Sequence, residues 1–199
     1  MQGYAGGLGV DEIVDLLATG AGHLLRDGSS VSQLDHALQT ASLLAREVPA
    51  DDELATAALV HDIGHLLPGA GDETHAAAGA DAVRGALGPR VADLVALHVD
   101  AKRYLVATEH AYGAELAPDS VASLVTQGGP MSPDEVAAFE ALAPARAAVS
   151  LRRADDSGKV EGLEVRDLGD WAPVLRRLSE RVRLRGAEVP SADERPGPT

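Results

Sequence analysis

The sequence predicts an all-α fold, a single helical domain, from three observations. Hydrophobic residues make up 45% of the 199, yet aromatics only 3%, so Ala, Leu and Val carry the apolar content. Ala and Leu are strong helix formers, which favours closely packed helices over a sheet. Apolar residues recur at helical spacing, as at Leu34, Leu38, Ala41 and Ala45. Helix-starting and helix-stopping residues also divide the chain into helix-sized pieces, with no convincing strand pair and no internal repeat. At this length one domain with a real core is the default.

Each element follows from local signals. Residues 1–9 are glycine-rich and are expected to form a flexible N-terminus. A first helix is expected after Asp11, as its cap, ending near Gly20. Gly28-Ser29-Ser30 marks a loop. A second helix runs from about Ser32 to Val48 and is stopped by Pro49. Asp51 or Asp52 caps a third, expected to pass through Leu54, Ala58, His61 and His65 and to end at Pro68-Gly69. A fourth carries His75 and stops at Gly88-Pro89, and a fifth runs from about Arg90 to Val106 with His98 on it. Pro118 to Thr126 reads as a short helix closed by Gly128-Gly129-Pro130. Ser132-Pro133-Asp134-Glu135 is a helix start with a Ser cap, Pro in first position and Glu three residues on. A helix from about Pro144 carries Arg152 and Asp155 and stops at Gly158, and Asp170 is expected to cap a last one through Leu175 and Leu178. The helical domain is thus placed at 10–186, and residues 187–199, polar and Pro-rich, read as a disordered tail.

Composition narrows the function. There is no cysteine, which excludes disulfides, zinc–thiolate sites and iron–sulfur clusters. Any metal would be held by His, Asp or Glu, ligands that suit iron, manganese or zinc. A formal net charge of −14 disfavours nucleic-acid binding. No stretch is apolar enough to span a bilayer, and the N-terminus lacks a signal-peptide pattern. A cytoplasmic location is expected; nothing in the sequence reads out the oligomeric state.

His61-Asp62-Ile63-Gly64-His65 is the most informative stretch. An adjacent His-Asp pair offers, from one short piece of backbone, a nitrogen ligand and a carboxylate able to bridge two metals. Five of the seven histidines fall between His36 and His98, which favours a metal centre over chance. A lone histidine is more often a hydrogen-bonded core or surface residue. Asp62, however, lies among Ala57-Ala58-Leu59-Val60 and Ile63, where burial without a partner would be costly. His61 and His65, four apart, are expected on one helix face.

The order H…HD…H…H…D resembles the HD-domain superfamily of metal-dependent enzymes, whose fold is an all-α bundle. The resemblance implies that His36, His61 and Asp155 serve one metal, His75 and His98 a second, and Asp62 bridges. Asp156 is the alternative to Asp155; alignment of the stretch from Arg152 to Lys159 favours Asp155. Three further stretches resemble one subfamily, the mixed-valent di-iron oxygenases that cleave carbon–phosphorus bonds of hydroxyphosphonates: Gln33-Leu34-Asp35-His36-Ala37-Leu38-Gln39, His98-Val99-Asp100-Ala101-Lys102-Arg103-Tyr104-Leu105, and Gln127-Gly128-Gly129-Pro130-Met131. The likeness covers roughly residues 30 to 160. It implies two iron ions, active as Fe(II)/Fe(III), with O2 as co-substrate, acting on a small organophosphonate anion and releasing phosphate and a carbonyl compound.

By the same resemblance, His65, Lys102, Ser120, Gln127 and Arg152 match positions that hold the phosphonate or its surroundings, with His65 and Lys102 as its catalytic anchors. The residue types agree. Lys102 lies four after His98, on the ligand-bearing face, where a cation makes sense beside an anionic substrate. Arg152 lies three before Asp155, on the same face, and Arg with Lys suits a dianion. One departure stands out. Members acting on amino-bearing substrates carry a Tyr and a Glu in the loop before the first His ligand, and without gaps those positions fall on Arg26 and Ser29. Neither replaces a carboxylate facing an ammonium, so a neutral or acidic tail is expected, with Arg26 meeting it. The rival readings are an HD-type phosphohydrolase or phosphodiesterase, a polyol-cleaving oxygenase, and a metal-holding sensor without turnover.

Overall fold

Capping residues set most helix boundaries in the computed structural model of the protein, which describes residues 7–25 and 29–187. Among the described residues there are ten α-helices: α1 (Val10–Thr19), α2 (Gln33–Glu47), α3 (Asp52–Val60), α4 (His75–Leu87), α5 (Pro89–Thr108), α6 (His110–Glu115), α7 (Pro118–Thr126), α8 (Pro133–Glu140), α9 (Ala145–Ser157) and α10 (Leu168–Ala187). Short 3-10 turns occur at Gly20–Gly22 and Ile63–Leu66. Pairing outside helices is confined to an isolated bridge, Leu24 with Ser32. The all-α expectation holds.

Ser32 and Ser132 cap α2 and α8 as the sequence predicts. Ser32 Oγ accepts from the Asp35 N–H at 3.0 Å, and the Ser132 N–H donates to Glu135 Oε2 at 2.8 Å. These reciprocal bonds satisfy donors that the first helical turn leaves free. Two expected caps are displaced. Gly9, not Asp11, precedes α1, its N–H donating to Glu12 Oε2 at 2.7 Å, and Asp11 sits in the first turn. Asp167 caps α10 by accepting from the Asp170 N–H at 2.9 Å, so Asp170 is the inward partner of the cap and not the cap. Helix α6 was not expected: it is six residues long with a glycine inside, too weak a pattern to register.

The packed domain reaches slightly beyond 10–186. Leu8 is buried and its N–H donates to the Ala82 carbonyl at 2.7 Å, and α10 continues through Ala187. Of the expected flexible N-terminus and disordered tail, residues 1–6 and 188–199 lie outside the described residues, as does Arg26.

Helix α3 is the axis of the bundle. Every residue from Leu54 to Val60 is buried, and a helix apolar all round can only be central. It packs against α2, α5, α9 and α10, while α4 packs most extensively on α5. Alanines at 57, 58, 92 and 101 let the backbones come close. A bidentate pair, Arg90 Nη1 and Nη2 to the Asp51 carboxylate at 2.6 Å each, ties the start of α5 to the start of α3 and holds the Asp51 carboxyl below its usual range.

The sequence predicts that α3 continues through His61 and His65; it ends at Val60. Asp62 adopts φ −99°, ψ 8° and a 3-10 turn follows. The cause is tertiary. The Gly64 backbone presses on the first residue of α4, so closely that a Cβ there would collide with the His75 carbonyl. A straight α-helix would carry His65 away from His75, and the tight turn instead folds it back. Gly64→Ala is therefore expected to cost at least about 3 kcal/mol through overpacking against backbone, lowering the melting temperature by roughly 6–12 °C. Thermal unfolding followed by circular dichroism tests this, and an unchanged midpoint contradicts the packing described.

Candidate metal centre

Four imidazoles from different segments meet at the heart of the bundle: His36 from α2, His61 from the turn after α3, His75 from the first position of α4 and His98 from mid-α5. All are buried. Each is oriented the same way. Nδ1 lies 2.7–2.8 Å from a backbone carbonyl, that of Gly158 for His36, Ala58 for His61, Asp72 for His75 and Val95 for His98. A carbonyl only accepts, so Nδ1 carries the proton and Nε2 is left with a lone pair. Gly158 comes near because it has no side chain; a Cβ there would collide with Thr40. Gln39 pins the next stretch, donating to the Val160 carbonyl at 2.8 Å and accepting from its N–H at 3.0 Å.

The Nε2 atoms converge in pairs. His36 Nε2 is 3.2 Å from His61 Nε2, and His75 Nε2 is 3.1 Å from His98 Nε2. Asp62 lies between the pairs with one oxygen toward each. Its Oδ2 is 3.8 Å from His36 and 3.6 Å from His61; its Oδ1 is 3.6 Å from both His75 and His98. Asp155 from α9 brings Oδ1 to 3.3 Å from His36 and 3.8 Å from His61. His36, His61 and Asp62 form one group able to hold a metal ion, and Asp62, His75 and His98 another.

The ionisation of the cluster suits metal ligation, which needs neutral imidazoles and ionised carboxylates. Burial pushes His98 down to about 3, with the neighbouring His61 charge adding to it, and lowers His75 as well. Burial opposes ionisation of Asp62 and Asp155. The imidazoles around Asp62, and above all the Arg152 charge beside Asp155, overcome it and hold both carboxyls well below their usual range. Burial also acts against a charge on His61, yet Asp62 and Asp155 raise it to about 9.

Beside the cluster is a cavity of about 250 Å³. Five residues expected to contact substrate line it: His65, Lys102, Ser120, Gln127 and Arg152. Arg26, the sixth, lies outside the described residues; His23, Leu24 and Leu25 line the cavity from the segment before it. His65 arrives on the 3-10 turn, not on the His61 helix face, and stacks on His75 with ring centroids 4.0 Å apart. Lys102 is buried and donates to Ser123 Oγ at 2.8 Å. Ser123 in turn donates to the Ser120 carbonyl at 3.2 Å. Sequence reasoning named Ser120 and missed Ser123, although the two share a face of α7. Gln127 donates to the Asp72 carbonyl at 3.3 Å, and its Oε1 is buried without a hydrogen-bond partner among the described residues. Arg152 differs most from its expected role. All three of its nitrogens already meet protein groups, on Asp155, Asp156 and Tyr112.

This architecture has known counterparts. The HD domain model matches residues 34–135, from just before His36 to just after Met131. The chain belongs to the HD-domain family. The match stops short of Asp155, whose place beside His36 rests on the geometry alone. The chain is similar to a hydroxymethylphosphonate dioxygenase of Gimesia maris, 42% identical over 71% of this chain and 75% of that protein. It is also similar to a [1-hydroxy-2-(trimethylamino)ethyl]phosphonate dioxygenase (glycine-betaine-forming) of Leisingera caerulea, 35% identical over 77% of this chain and 82% of the relative. An uncharacterized protein of Acanthamoeba polyphaga mimivirus is 30% identical over 71% of this chain and 68% of its own length. No helix among the described residues is long and apolar enough to cross a membrane.

Burial, with the nearby Arg152 charge adding to it, lowers Lys102 to about 8. Lys102 of this HD-domain protein is therefore cationic at neutral pH and loses its charge as pH rises through that value. Sulfate, whose own charge is constant over this range, is expected to bind about tenfold more weakly at pH 9 than at pH 7. Lys102→Arg should remove most of that dependence, leaving what the falling charge of His61 contributes near pH 9. Isothermal titration across this range checks it; affinity independent of pH in the unmodified protein contradicts a titrating Lys102 charge at the cavity.

Proposed function

We propose that this chain, an oxygenase of the HD-domain family, cleaves the carbon–phosphorus bond of a small 1-hydroxyphosphonate with O2 and releases phosphate. The observation that carries this reading is the juxtaposition of two buried histidine pairs, shared across Asp62, with a buried Lys102 on the wall of the same cavity. Metal ligands alone serve many reactions. A buried ammonium beside them calls for an anion between the two, because otherwise both charges go unpaired at a cost.

The donor set fits two metal ions. His36, His61 and Asp155 would hold one, His75 and His98 the other, and Asp62 would bridge them. With nitrogen and oxygen ligands only and no cysteine, iron suits the site. When bound in the Fe(II)/Fe(III) state, the ions supply Lewis acidity toward the substrate hydroxyl and electrons toward O2. The remaining work belongs to the chain. Lys102 donates a charge-assisted hydrogen bond to a phosphonate oxygen, with Ser123 and Ser120 holding its ammonium in place. His65, fixed by stacking on His75, donates from the opposite side. Gln127 Oε1 accepts from a donor on the substrate. Together these groups fix which face of carbon 1 meets the metals, and such positioning supplies much of a catalyst's advantage.

Atoms balance if the carbon leaves as a carboxylate: R–CH(OH)–PO3²⁻ and O2 give R–COO⁻, HPO4²⁻ and H⁺. The C–P and one C–H bond break, new C–O and P–O bonds form, and O2 takes all four electrons from the substrate. A cavity this small suits a phosphonate with a short tail; drug-sized ligands occupy roughly 300 Å³ and more. The side facing the tail is lined by His23, Leu24 and Leu25. Apolar and basic groups there favour a substrate without an ammonium, such as hydroxymethylphosphonate.

Phosphate release from a panel of 1-hydroxyphosphonates, with and without air, tests the proposal. Hydroxymethylphosphonate is expected to yield phosphate only in air, with one O2 consumed per phosphate. Its kcat/KM should exceed that of a trimethylammonio analogue by roughly tenfold or more, since an unmatched cation costs at least about 1.4 kcal/mol. Phosphate or nucleotide hydrolysis under anaerobic conditions would instead point to a hydrolase. Equal kcat/KM for both tails would remove the tail assignment and leave the oxygenase in place.

A further inference from the structure

Two acidic residues, Asp155 and Asp156, end α9, and no basic residue stands in its last turn. Helix energetics do not explain them. Negative charge at a helix C-terminus opposes the macrodipole, and an Arg placed before its acidic partners is the less favourable order for pairs within a helix. Asp155 faces the histidines, but Asp156 turns away from them. Its carboxylate accepts from Arg152 Nη2, from Arg152 Nε at 3.2 Å and from the Tyr112 hydroxyl at 2.6 Å. The same Tyr112 oxygen accepts from Arg152 Nε at 3.0 Å. Arg152 Nη1 then reaches Asp155 Oδ2 at 2.8 Å. Asp155 Oδ1 is the oxygen that faces His36 at 3.3 Å and His61 at 3.8 Å, with Lys159 Nζ 3.9 Å away.

An arginine beside a carboxylate tends to pair with it through two parallel hydrogen bonds, which occupy both oxygens. Here the Nε–Nη2 edge of Arg152 is filled by Asp156 and Tyr112, so Asp155 gets a single contact. We propose that Tyr112 and Asp156 are positioning residues of the metal centre. They hold Arg152 so that it takes one oxygen of Asp155 and cannot withdraw the whole carboxylate from the ion that His36 and His61 would share. This rests on the metal reading proposed above. Arg152, on this account, is a lever on Asp155 before it is an anchor for phosphonate. Tyr112 comes from α6, the one helix absent from the sequence expectations, and no motif in the chain marks it.

The test uses the full-length chain. Tyr112 and Asp156 also line a second cavity, of about 430 Å³, whose lining includes no histidine. Tyr112→Phe thus removes one oxygen beside open space together with its two hydrogen bonds, and should melt within a few degrees of the unmodified protein. Asp156→Asn loosens the same contact, and Asp156→Glu keeps the charge. Ferrous-iron affinity is measured anaerobically by competition with a coloured chelator, alongside the electron paramagnetic resonance spectrum and kcat and KM for hydroxymethylphosphonate. Tyr112→Phe and Asp156→Asn are expected to weaken binding of one of two iron equivalents about tenfold, as loss of a ligand's supporting partner does. They should also alter the spectrum and lower kcat with KM within about twofold, while Asp156→Glu recovers part of the affinity. Unchanged iron affinity in Tyr112→Phe overturns the inference, as does a raised KM with iron binding intact. Should Asp156→Asn fail to fold, Tyr112→Phe alone decides. If the unmodified chain takes up no iron, the metal reading itself falls; if it takes up two and the variants bind both as tightly, only the positioning role falls.

Discussion

Two pairs of imidazole nitrogens stand 3.1–3.2 Å apart, buried, with their lone pairs directed at one another. Neutral nitrogens so placed repel. Only a shared proton or a metal ion turns that repulsion into attraction. The bundle is arranged to enforce this contact rather than to avoid it. Backbone carbonyls at 58, 72, 95 and 158 set every tautomer, and Gly64 and Gly158 admit backbone where a side chain would collide. A centrally buried α3 delivers His61 and Asp62 to the middle. Asp62 and Asp155 favour positive charge at His61 against the burial that opposes it.

The cationic wall is best understood against the rest of the molecule. A chain with net charge −14 would repel a dianion, yet its largest buried cations, Lys102 and Arg152, sit in the same cavity wall. Their burial is costly unless something negative repays it. Arg152 is repaid within the protein by two carboxylates and a phenol. Among the described residues the hydrogen bond of Lys102 goes to a hydroxyl oxygen, that of Ser123. This asymmetry is what the proposed roles rest on: Arg152 is held by the protein's own carboxylates, and Lys102 by a hydroxyl alone.

Much of this was legible in the chain itself. Histidines placed among alanines and valines, and an aspartate with no local cation, announced a buried polar cluster. Ser32, Pro49, Asp51, Gly88 and Ser132 gave helix limits because caps act locally. Asp155 points at the histidines and Asp156 toward Arg152 and Tyr112. What escaped was set by contacts distant in sequence. The end of α3 depends on Gly64 meeting α4, and helical periodicity through residues 54–65 gives no sign of that. Ser123 becomes a partner of Lys102 only when α7 crosses α5. Tyr112 rides on a six-residue helix with no pattern to reveal it, and the engagement of Arg152 follows from that helix.

Iron K-edge absorption fine structure of the anaerobically loaded protein tests the central claim most directly, because it sees the ions and their neighbours together. The account predicts two irons per chain, nitrogen-rich first shells and a second iron scatterer within bridging distance, all lost together when Asp62 is replaced by alanine. A single iron with no metal neighbour, or a spectrum indifferent to Asp62, would contradict it.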